Sequence, residues 1–93
     1  METRTFANAW DALEDSPEDA ANMTMRSNVM IAIKDTVRSW KTTQAQAARR
    51  LGITQPRLND LLNGKISKFS LDTLMTLATR AGLKVKIEVR SAA

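Results

Sequence analysis

Between residues 23 and 40 the apolar side chains Val29, Met30, Ile33, Val37 and Trp40 recur at steps of three and four, while Arg26, Lys34, Asp35 and Arg38 take the other sides. Such spacing lays one apolar stripe along a helix and predicts the first long core helix. Just before it, Ser16-Pro17-Glu18-Asp19 supplies a start signal: a capping serine, a proline at the first helical position and two acids at the positive helix end. A separate short helix through about Asn22 is predicted there. Further on, Thr43 caps a segment from Gln44 to Leu51 with Ala47, Ala48 and Leu51 on its inner side. Gly52 ends that helix, Ile53 plugs the corner, and Thr54 caps another that runs to about Leu62 on Leu58, Leu61 and Leu62. Pro56 is harmless in that first turn, where backbone N–H groups have no intrahelical partner. Asn63-Gly64 closes the helix, and residues 65 to 69 read as a loop. Ser70 then caps a helix whose stripe is Leu71, Leu74, Leu77, Ala78 and Ala81, with Gly82 at its end.

The period changes at LKVKIEVR. Leu83, Val85, Ile87 and Val89 alternate with Lys84, Lys86, Glu88 and Arg90, which predicts a half-buried strand. The expected fold is therefore all-α: a compact domain of four to five helices with one C-terminal β-strand. Residues 1–16 read as an acidic, loosely ordered arm, 17–82 as the helical domain, and 83–93 as the strand and tail. A lone strand cannot satisfy its own backbone, so its expected partner is the same strand of a second copy, antiparallel about a two-fold axis. Leu83, Val85, Ile87 and Val89 are thus the candidate dimerisation residues of a homodimer.

Composition narrows the chemistry. Ninety-three residues make one small domain, and with only four aromatic residues its core must be built from aliphatic side chains. The absence of cysteine and histidine excludes a disulfide framework and thiolate metal sites, and removes the commonest catalytic base. No catalytic residues, metal site or cofactor are expected. No apolar run reaches the length of a bilayer span and the N-terminus lacks the features of a signal peptide, which points to a cytoplasmic protein with no membrane partner.

Charge is unevenly placed. Residues 1–22 hold six acids against Arg4, whereas the remainder holds thirteen bases against four acids. Within residues 41–68 stand Lys41, Arg49, Arg50, Arg57, Lys65 and Lys68, opposed by Asp60 alone. A basic stripe of this kind suits a polyanion.

The twenty residues from Gln44 to Asn63 identify the polyanion. Their fourth, eighth, tenth, fifteenth and eighteenth positions are Ala47, Leu51, Ile53, Leu58 and Leu61, with small Ala48 fifth and Gly52 ninth. This is the helix-turn-helix pattern: the small residue lets two helices cross closely, glycine permits the turn, and the apolar set fixes the pair to the core. Turning 100° per residue from the leucine side, Pro56, Asp60 and Asn63 point outward, with Arg57 and Asn59 on the flanks and Gln55 at the tip. Gln and Asn match adenine, and Arg matches guanine, in the major groove of double-stranded DNA. The base-contacting candidates are Gln55, Pro56, Arg57, Asn59 and Asp60; Pro56 offers only apolar contact, for instance to a thymine methyl. Asp60 either accepts from cytosine N4 or pairs with Arg57, and the pairing is the favoured expectation. Phosphate-contacting candidates are Lys41, Thr43, Gln44, Asn63, Lys65 and Lys68. The alternative is that one or two bases of the stripe, Arg50 especially, merely solvate a helix face.

The stretch TQAQAARRLGITQPRLNDLLNGK resembles the helix-turn-helix of the phage-repressor-like (Xre) family, and so implies a lambda-repressor-like fold. By that resemblance Gln44 and Asn63 would touch phosphates and Gln55 would lead base reading. The order of parts, an acidic arm, SPEDAANMTMRSNVMIAIKD, TQPRLNDLLNGK and FSLDTLMTLATRAGLKVKIEVR, resembles the small HigA-type antitoxins of bacterial toxin–antitoxin pairs. The resemblance implies a dimeric transcriptional repressor of a palindromic operator that neutralises a RelE/HigB-like ribonuclease toxin and regulates its own operon. Phe6, Trp10 and Leu13 in the acidic arm are the candidate toxin contacts, with the long first helix as the alternative surface. A free-standing Xre-like regulator without a toxin and a protein-interaction module are the competing readings.

Overall fold

The computed structural model describes residues 16–91. They form four α-helices, α1 (Pro17–Ser39), α2 (Gln44–Leu51), α3 (Gln55–Leu62) and α4 (Leu71–Arg80), with a 3₁₀ turn (Ile66–Lys68) between α3 and α4. α1 packs chiefly against α4 and α2 against α3. Ile33, Leu51, Leu58, Leu61, Phe69 and Leu74 are fully buried where these elements meet. None of the helices is long and apolar enough to cross a membrane.

Each helix starts at a side-chain cap. The Ser16 hydroxyl accepts from the Asp19 N–H at 3.1 Å, Thr54 from Arg57 N–H at 3.3 Å and Ser70 from Thr73 N–H at 3.1 Å. At α2 the cap is reciprocal: Thr43 accepts from Gln46 N–H at 3.1 Å while the Gln46 side chain accepts from Thr43 N–H at 3.3 Å. The expected break near Asn22 is absent. Residues 17 to 39 form one continuous helix, because Ala20, Ala21, Met23 and Met25 are good helix formers and no Gly or Pro interrupts them.

One further expectation is refined and one is corrected. The expected loop at residues 65 to 69 holds a 3₁₀ turn at Ile66–Lys68, and Phe69, in the loop just after it, is fully buried and closes the core. Among the described residues none is a strand, including residues 83 to 90. Strands are held by bonds to neighbouring strands, and among the described residues no other strand is present to pair with residues 83 to 90. What the alternation does produce is one-sided packing: Leu83 and Val85 rest half-buried against the core, whereas Ile87 and Val89 are exposed.

The α2–α3 turn is fixed from behind by α4. Gly52 has φ +71°, and Arg80 donates to the carbonyl of Leu51, the last residue of α2, at 3.0 Å. A Cβ at residue 52 would stand 2.8 Å from the Arg80 Nη1. Gly52→Ala is therefore expected to lower unfolding free energy by about 1–2 kcal/mol from backbone strain alone. Urea titration is the check, and a smaller loss in an Arg80→Ala background is the mark of the crowding at Nη1.

Candidate nucleic-acid interface

α3 is a helix of eight residues with two different sides. Leu58 and Leu61 are fully buried and Leu62 is half-buried, while Gln55, Pro56, Asn59 and the capping Asn63 are exposed. Close approach of α2 from behind is permitted by Ala47 and Ala48, both buried. The exposed side therefore follows from the leucines: they occupy the only face through which so short a helix can be held.

Arg57 and Asp60 depart from expectation. They do not pair with each other. Asp60 instead lies 3.5 Å from Lys65 Nζ and 3.6 Å from Lys68 Nζ. Arg57 places its guanidinium 4.1 Å from the centre of the Phe69 ring and donates to the Lys68 carbonyl at 2.7 Å. Gly64, at φ +72°, reverses the chain after α3 and returns residues 65 to 69 alongside it. Both side chains then meet groups nearer than each other, and both are half-buried rather than fully outward. Arg26 of α1 braces the same turn, donating to the Phe69 carbonyl at 3.2 Å and approaching that of Ile66 at 3.5 Å.

On the opposite flank, the end of α1, the start of α2 and the end of α3 enclose a polar cleft of about 310 Å³ lined by Arg38, Lys41, Thr43, Gln44, Asn59 and Asn63. Four phosphate-contact candidates thus converge, next to one base-contact candidate. Arg38 is the addition that sequence reasoning missed, since its position in the helical repeat marks it only as solvated. Its signal lay in being three residues before Lys41 at a helix end, where a turn folds the two together. Lys65 and Lys68 lie on the other flank of α3 with Asp60 and Arg57. Arg49 is exposed, and Arg50 stacks 3.9 Å from the Trp40 ring centre, in keeping with a solvated helix face. Phe6, Trp10 and Leu13 lie outside the described residues.

Lys41 carries a specific cost. Its φ of +53° is the one left-handed value at a described non-glycine residue, at the position just past a helix where glycine is usual. A lysine held there keeps a charge in the cleft at the expense of backbone strain. Lys41→Gly is expected to raise unfolding free energy by about 0.5–1 kcal/mol, strain relief less the extra freedom of the unfolded chain. The same variant should bind duplex DNA more weakly, and measuring both by urea titration and fluorescence anisotropy separates the two effects.

Comparison with curated proteins finds no match. The chain belongs, by a family model that matches residues 12–90, to the helix-turn-helix domain family, and is a DNA-binding protein of that class.

Proposed function

We propose that the protein is a sequence-specific transcriptional repressor that reads the major groove with α3. The observation that carries this reading is the pairing of a fully buried leucine face with an exposed row of Gln55, Pro56, Asn59 and Asn63 on one short helix. Gln55 and Asn59 have the forked amides that recognise adenine, and Pro56 presents an apolar surface to a thymine methyl. Lys41, Gln44 and Asn63, joined by Arg38, hold the backbone on one flank; Lys65 and Lys68 do so on the other. Thr43 contributes through the α2 N-terminus it caps.

Two copies are needed for a palindromic site, and the exposed Ile87 and Val89 support assembly through residues 83–90, pairing between chains what a single chain leaves unpaired. The resemblance of about residues 10–90 to HigA-type antitoxins supports a further role: neutralising a RelE/HigB-like ribonuclease, with Phe6, Trp10 and Leu13 on an acidic segment complementary to a basic RNA-gripping toxin. No step in this reading requires catalysis or a cofactor.

Co-expression with the neighbouring gene, followed by co-purification and a mobility shift on the DNA upstream, tests both halves. Retention of a small basic partner and a shift on that DNA are expected; a shift without a partner reduces the protein to a free-standing regulator. Gln55→Ala should weaken the specific complex by about 1–3 kcal/mol while leaving non-specific binding unchanged. Asp60→Asn should act oppositely, strengthening non-specific binding and steepening its salt dependence, because it removes a repulsive charge and releases Lys65 and Lys68 to phosphates. Equal effects of both substitutions on specific and random duplex would sink the assignment of α3 as the reading element.

A further inference from the structure

A second surface lies apart from the helix-turn-helix. Between α1, α4 and the C-terminal segment runs a largely apolar groove of about 520 Å³, whose walls include Met25, Val29, Met75, Leu83, Val85 and Ile87. No residue of α2 or α3 lines it, so a duplex seated on α3 leaves it open. Met25 is 40% exposed and Ile87 58%, so large apolar side chains stand in water on both of its edges.

We infer that this groove receives the chain's own acidic N-terminal segment, residues 1–15. Three observations converge on that occupant. Phe6, Trp10 and Leu13 are spaced i, i+4 and i+7, the spacing by which a helix sets anchors into an apolar groove. The segment holds four acids against one base, and the groove is lined by Lys84 and Lys86 against the single acid Asp72. A second copy's residues 83–90 carry three bases and one acid, so they complement those lysines less well than the acidic segment does, which leaves association between copies to Val89, exposed and outside the groove. Reach is not limiting either. Residue 15 joins Ser16 at the start of α1, and Met25 lies about 14 Å further along that helix, whereas even a fully helical segment of that length spans roughly 22 Å. Because the segment is tethered, its effective concentration at the groove is on the order of millimolar, so weak docking suffices.

The consequence is competition. Phe6, Trp10 and Leu13 cannot fill the groove and contact another protein at once, so groove occupation opposes capture of any partner that uses them, and such a partner frees the groove. This inference stands without the DNA and toxin readings, since it concerns a different surface.

The chain has no cysteine, so paired thiols report the contact without background. In the 93-residue chain, Ala9→Cys is combined with Asn28→Cys, which lines the groove, or with Ile31→Cys, which is exposed on α1 but outside it. Mild oxidation followed by non-reducing electrophoresis is expected to give a monomer-mass cross-link roughly tenfold faster for the groove pair, an advantage that Trp10→Ala abolishes. Equal rates for the two pairs, or a groove rate indifferent to Trp10→Ala, overturn the inference. A groove cross-link found only at dimer mass overturns it also, and assigns the groove to a second copy.

Discussion

An eight-residue helix has little stability of its own, because the cost of its first turn is spread over too few bonds. α3 exists because Leu58 and Leu61 are withdrawn completely from water onto α1, α2 and Phe69. Each such burial is worth about 1.5–3 kcal/mol before the entropy of ordering is set against it. That attachment uses one face only, which is why the opposite face is free of the protein's own packing. The polar side chains there are available to an outside partner as a direct result of how the helix is held.

Electrostatics around α3 is arranged for exchange rather than for stability. Asp60 sits between Lys65 and Lys68 at 3.5 and 3.6 Å, with the lysine side chains about half exposed. Ion pairs in such a setting are worth little and are screened by salt. Phosphates of a bound duplex would therefore compete for both lysines at small expense. Arg57 differs in kind: stacked on Phe69 and bonded to the Lys68 carbonyl, it is committed to the turn and is less free to reach a base than its sequence position suggests. If α3 enters the groove as proposed, the carboxylate of Asp60 would also raise the energy of any duplex that offers it no donor, and so would discriminate by repulsion.

Local signals were legible from residue types alone. Ser16, Thr43, Thr54 and Ser70 cap their helices as read, and Gly52 takes the left-handed conformation that a tight turn between two helices requires. Inward leucines of α3 and α4 were equally readable, since periodicity reports burial directly. Long-range encounters were not. Nothing in helical spacing reveals that residues 65–69 fold back beside α3, so the Asp60 partners, the stacking of Arg57 and the burial of Phe69 all escaped. The alternation in residues 83–90 reported one-sided packing correctly but not pairing, because pairing depends on a neighbouring strand that the described residues do not supply.

That missing neighbour bears on how one small domain recognises a site at all. A single α3 reaches only a few base edges, and each correct pair adds about 1–3 kcal/mol of discrimination. Against the large excess of random duplex in a genome, a few such contacts select poorly, whereas two copies held at a fixed spacing square the selectivity. Val89, exposed and outside the groove, is the apolar residue that such a second copy would cover. On the proposed reading, recognition by α3 and association through the C-terminal segment would be one requirement seen at two places in the chain: the first would set which sequence is read, and the second would make reading it decisive.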